Sequence, residues 1–100
     1  MTLEDEYRLL VGGYYGIYEM DEYPLKVYIL KKIEDYIKEF VVEYPINNFN
    51  YQLEAMKISD SLSLKRKLQD SLIVLNKINA PIELNLLVKQ KLIDLEKVND

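Results

Sequence analysis

Residues 25–44 read LKVYILKKIEDYIKEFVVEY, and this stretch decides the fold class. Ile29, Leu30, Ile33, Tyr36, Ile37, Phe40, Val41 and Tyr44 recur every three or four residues, the period of an α-helix. Lys31, Lys32, Glu34, Asp35, Lys38, Glu39 and Glu43 fall between them, so one face is apolar and the other charged. Glu34 stands four residues ahead of Lys38, in the order that supports a helix. About twenty helical residues span roughly 30 Å, the height of a small domain. The expectation is a central helix on whose stripe everything else packs.

Upstream, residues 2–19 read as a first helix. Thr2 with Asp5 resembles a capping box, and Glu4, Asp5 and Glu6 oppose the positive end of the helix dipole. Leu3, Tyr7, Leu10, Tyr14 and Ile17 keep the helical spacing. Gly12, Gly13 and Gly16 work against it, since each costs roughly 1 kcal/mol relative to Ala inside a helix. Gly12 and Gly16 would share a face and let a second helix approach closely, with Tyr14, Tyr15 and Tyr18 flanking the notch. The alternative is a break at Gly12-Gly13. A phosphate-cradling loop is disfavoured, because no Lys-Ser/Thr follows and no strand precedes. Asp21, Glu22 and Tyr23 connect to the central helix, which Pro24 opens and Pro45 ends.

Downstream, Asn47, Asn48 and Asn50 read as turn and cap residues. Phe49, Leu53 and Met56 are spaced for a third helix, and the run Ser59, Asp60, Ser61 and Ser63 suggests a new start near residues 59–61. One helix over 49–78 is the alternative. Leu64, Leu68, Leu72, Leu75 and Ile78 form the next stripe, with Lys65, Arg66, Lys67, Gln69 and Asp70 outside it. Asn79 and Ala80 make a tight turn before Pro81, and Leu84, Leu87, Val88, Leu92, Leu95 and Val98 follow. Residues 62–98 thus read as a Leu-rich helical hairpin. The fold class is all-α: a small antiparallel bundle of four, or five, helices.

One hundred residues with 49% hydrophobic content support one core, hence a single helical domain over 1–100. Cys is absent, which excludes disulfides and thiolate metal sites. No apolar run approaches the ~20 residues of a membrane span, and acids stand near the N-terminus where a signal peptide carries lysines. The expected location is the cytoplasm. The net charge of −4 is uneven: residues 1–22 hold six acids against Arg8, whereas residues 57–77 hold Lys57, Lys65, Arg66, Lys67 and Lys77 against two acids. All nine Tyr and both Phe lie within residues 7–51. Tyr buries a ring while its hydroxyl seeks water or a partner, so such a concentration suits a core margin or a contact surface better than a deep core.

Function follows by elimination. The absence of His and Cys removes the commonest general base, the strongest nucleophile and the usual transition-metal ligands. The acid pairs are sequence neighbours that diverge on a helix, and they do not follow the calcium-loop pattern. No enzyme activity, cofactor or metal is expected. A helix-turn-helix placed with its turn at Ile58-Ser59 puts Lys57 where Gly is usual, and Ser63 and Arg66 where core residues belong. What survives is a protein-binding module acting stoichiometrically. Small, acidic, Cys-free helical proteins of this length include bacteriocin immunity proteins, antitoxins and phage-encoded antagonists, as architectural company. The expected partner-binding residues are Tyr14, Tyr15, Tyr18 and Tyr23, with the hairpin as scaffold or homodimer seam. The alternative is a nucleic-acid-associated regulator using the 57–77 face around Lys65, Arg66 and Lys67.

Overall fold

Thr2 starts the first helix, α1 (Leu3–Tyr18), with the reciprocal box its sequence suggests. Its hydroxyl accepts from the Asp5 amide at 3.1 Å, and its own amide donates to the Asp5 carboxylate at 3.3 Å. These bonds hold the Asp5 carboxyl below its ordinary value. The computed structural model describes residues 2–43 and 51–98, and the side chains of these apart from 51–55 and 98. Among them it contains five helices and no strand: α1, α2 (Lys26–Glu43), α3 (Tyr51–Ser61), α4 (Leu64–Lys77) and α5 (Ile82–Val98). They form a compact all-α bundle with a Cα radius of gyration of 13.5 Å. The expectations for Tyr44, Pro45, Asn47, Asn48, Phe49 and Asn50, and for the side chains of Leu53 and Val98, lie outside the described residues.

The register of α2 is as its periodicity predicts. Ile29, Ile33 and Phe40 are buried, Leu30, Tyr36, Ile37 and Val41 pack at their margin, and Glu34 pairs with Lys38 at 2.9 Å. Its rank is not. The central element is α1, which packs against α2, α3 and α4, whereas α2 leans chiefly on α1. Tyr7, Leu10, Val11, Gly12, Gly13, Gly16 and Ile17 are all buried, more of a helix circumference than one amphipathic stripe covers.

The glycines make this possible without breaking the helix. α4 crosses so close to α1 that a methyl group on Gly13 would stand 2.5 Å from Cγ2 of Val74, and one on Gly16 would stand 2.5 Å from the Lys67 carbonyl oxygen. Ser71 sits in the contact, its hydroxyl 2.8 Å from the Gly13 carbonyl and 2.9 Å from the Lys67 carbonyl. Close packing along this seam offsets the poor helix propensity of the glycines.

The same seam corrects the reading of α4. Leu68 and Leu75 are buried as expected, but Lys67 and Asp70, placed outside the stripe by sequence, are each only 4% exposed. The bare glycine face leaves room for α4 to turn Lys67, Asp70, Ser71 and Val74 inwards beside its leucines. Lys67 reaches Glu19, the C-cap of α1, at 2.7 Å.

Residues 51–77 form two helices, with the second start later than residues 59–61. Ser61 bonds back to the Ile58 carbonyl at 3.2 Å within α3, and Ser63 is the cap of α4, accepting from the Arg66 amide at 3.2 Å. Pro24 and Pro81 lie just ahead of α2 and α5 instead of inside them. After α4, Asn79 takes a left-handed φ of 55° while the Ala80 amide bonds to the Leu75 carbonyl at 3.0 Å, a closure that ends the helix and reverses the chain. α5 returns along α4, buries Leu84 and Val88 and half-buries Leu92 and Leu95.

Candidate functional site

Because α4 occupies the glycine face, another flank of α1 carries its tyrosines. Tyr14, Tyr15 and Tyr18 come together there. The Tyr14 and Tyr15 rings meet edge to face at 5.3 Å, Tyr15 and Tyr18 do so at 6.1 Å, and Tyr14 and Tyr18 lie nearly parallel at 6.5 Å. Edge-to-face and offset contacts of this kind favour one arrangement of the rings. Tyr14 and Tyr15 are half-buried against the core, while Tyr18 is 56% exposed. Burial, then the charge of Glu34, pushes the Tyr14 hydroxyl above its ordinary value.

Tyr23 is placed differently. Its ring packs on the core, and its hydroxyl oxygen is buried with no hydrogen-bond partner among the described residues. Burial, reinforced by Glu22, pushes this hydroxyl up to about 12. Tyr23 therefore supports the α1–α2 junction from within, while the other three rings form the open cluster.

Lys26 fixes that junction and went unnoticed in the sequence. Its ammonium donates to the Met20 carbonyl at 2.6 Å, lies 3.4 Å from Glu22, and stands 5.8 Å from the centroid of the Tyr18 ring. One buried cation thus satisfies a carbonyl beyond the end of α1, pairs with an acid and touches the exposed tyrosine. The available signal was the four-residue spacing of Glu22 and Lys26 across Pro24.

The basic run does not form one surface. Lys65 and Arg66 are exposed, Lys65 lying 3.8 Å from Glu96, but Lys67 is turned inwards onto Glu19. Lys57 is exposed on α3, and Lys77 reaches Glu6 at 3.4 Å. The helix runs unbroken through Ile58 and Ser59, so the turn of a helix-turn-helix is absent there.

Among the described residues no helix is long and apolar enough to cross a membrane, and no three His, Cys, Asp or Glu side chains group to hold a metal ion. Comparison with protein-family models, with curated proteins and with solved structures finds no match.

Proposed function

We propose that the protein is a non-enzymatic binding module that acts by stoichiometric capture of another protein, as inhibitors, antitoxins, immunity proteins and phage antagonists do. The observation that carries this reading is the half-open tyrosine cluster on the flank of α1. Tyrosine rings already immobilised by one another lose little freedom on binding, and their hydroxyls remain available for polar contacts. Tyr is also enriched among the anchors of protein interfaces. Tyr18 is the contact residue of the cluster, Tyr14 and Tyr15 flank it, and Tyr23 with Lys26 sets the angle at which α2 leaves it. A photo-crosslinking residue at position 18 in the producing cell should link one discrete protein, which co-purifies with the wild-type chain at fixed stoichiometry and not with Tyr18→Ser. Recovery of the same protein with the folded Tyr18→Ser chain would overturn the reading.

A separate observation favours self-association. The outer side of α5 carries Ile82, Leu86 and Ile93, which are 68%, 58% and 47% exposed and share one face at helical spacing. α5 packs chiefly on α4, so among the described residues no helix covers this face, and the hairpin is the proposed homodimer seam. Sedimentation should show a dimer that Leu86→Glu dissociates; a monomer at high micromolar concentration removes the seam. The inward turn of Lys67 weighs against the nucleic-acid alternative, which predicts salt-sensitive retention on DNA or RNA.

A further inference from the structure

Beside the α1–α4 seam, a cleft of about 460 Å³ opens between Asp5, Arg8, Leu9, Leu62, Arg66 and Asp70. Its carboxylate at position 70 is nearly buried, and its side chain lies over Gly12, where a methyl group would come 2.6 Å from Oδ2. The side chain of Leu62 leans over the same glycine. The counter-ion in place is weak: Nε of Arg66 stands 3.4 Å from Oδ1, a single long contact from a side chain that is itself mostly in solvent. Arg8, on the same cleft, also makes an interaction. A buried carboxylate compensated in this way costs stability, and an apolar side chain would pack the seam at no such cost. Burial accordingly outweighs Arg66 and holds the Asp70 carboxyl above its ordinary range. A perturbed ionisable group with a specific charge partner, placed in a cleft, is a candidate ligand site.

We propose that this cleft receives an alkylammonium or alkylguanidinium group, with Asp70 as its counter-ion and the Leu9 and Leu62 side chains against its methylenes. The incoming N–H donors take the place of the Arg66 contact, and the long exposed Arg66 side chain swings into water. The shared chemistry is a cation on an apolar stem, carried by a free amine or by a Lys or Arg side chain of a bound protein. The inference does not rest on the tyrosine cluster, and its failure leaves that reading standing.

The test is a titration of isotope-labelled protein followed by NMR at pH 7 and constant ionic strength. The probes are n-butylammonium, for a free amine, and an arginine blocked at both termini, for a side chain. Saturable shifts are expected at the amides of Gly12, Leu62 and Arg66 with at least one probe. Affinity should fall at least tenfold in Asp70→Asn, whose melting temperature is unchanged or higher, and should rise several-fold in Arg66→Gln, which lacks the internal competitor. Absence of saturable shifts with both probes, or equal affinity in wild type and Asp70→Asn, would overturn the proposal. If Asp70→Asn does not fold, Arg66→Gln decides: tighter binding upholds the site and unchanged binding removes it.

Discussion

Two faces of α1 are built by opposite means. Towards α4 the helix gives up its side chains at Gly12, Gly13 and Gly16, so that a partner helix closes onto its backbone and polar groups such as Ser71 and Lys67 fill the seam. Towards the open flank it keeps three large rings, which pack on one another and meet solvent at Tyr18. The first face admits one occupant and nothing larger than a hydrogen atom at the crossing. The second is preorganised but unfilled. Close helix packing is concentrated on the glycine side, and the proposed recognition surface lies on the tyrosine side.

Mutations should separate the two. The largest effect belongs to Gly16→Leu, whose side chain would have to occupy the position of Ser71 and the Lys67 carbonyl. A loss of ~3 kcal/mol or more is expected, since overpacking against backbone cannot be relieved by a rotamer change. Thermal unfolding should show a midpoint lowered by roughly 12 °C or more. Wild-type stability in this variant would mean that α1 and α4 do not cross at the glycines.

Ser71→Ala should cost about 1 kcal/mol, the worth of one buried hydrogen bond, read as a lower urea midpoint at unchanged slope. A neutral result would make the seam purely steric.

Tyr23→Phe removes a buried hydroxyl without a hydrogen-bond partner among the described residues and should leave stability at pH 8 unchanged or slightly higher. Its signature lies in alkali. The ordinary value of this hydroxyl is 10.0 and the folded-state value is about 12, so the unfolded chain loses the proton first. The stability contributed by neutral Tyr23 is complete below pH 10 and lost as pH rises towards 12. Urea midpoints at pH 8 and 11 should therefore converge more closely in Tyr23→Phe than in wild type.

Tyr18→Ser should lower stability only slightly, by less than about 0.5 kcal/mol, because the side chain is largely exposed. Its effect should appear in partner capture instead. A destabilisation comparable to Ser71→Ala would show that the tyrosines hold the fold together rather than face outwards.

What could be read in the sequence was the part carried by periodicity and caps. The buried register of α2, the Thr2–Asp5 box and the Asn79 turn follow from local spacing, whereas the spacing over residues 49–78 allows one helix or two and its Ser/Asp run points to a start earlier than Ser63. The identity of the central helix did not, because a glycine counts locally as lost helix propensity and only tertiary contact shows what its missing side chain admits. Lys67 and Asp70 were misplaced for the same reason. Lys67, Asp70, Ser71 and Val74 are spaced as a helical stripe, yet only beside the Gly12, Gly13 and Gly16 stripe of α1 can such residues go inside. The tyrosine cluster was visible as composition and helix spacing. That Tyr23 differs from its neighbours depended on where Lys26 and Met20 fold the α1–α2 junction.

The bond between Ser71 and Gly13 joins residues 58 positions apart. On the ribosome, at roughly 5 to 20 residues per second, the helix that will occupy the middle of the bundle is synthesised about 3 to 12 s before the segment that closes on it. During that interval α1 has three glycines to weaken it and no α4 to compensate. An aromatic, glycine-weakened segment thus precedes the helix that packs it, and the synthesis of α4 is what makes the close packing of α1 available.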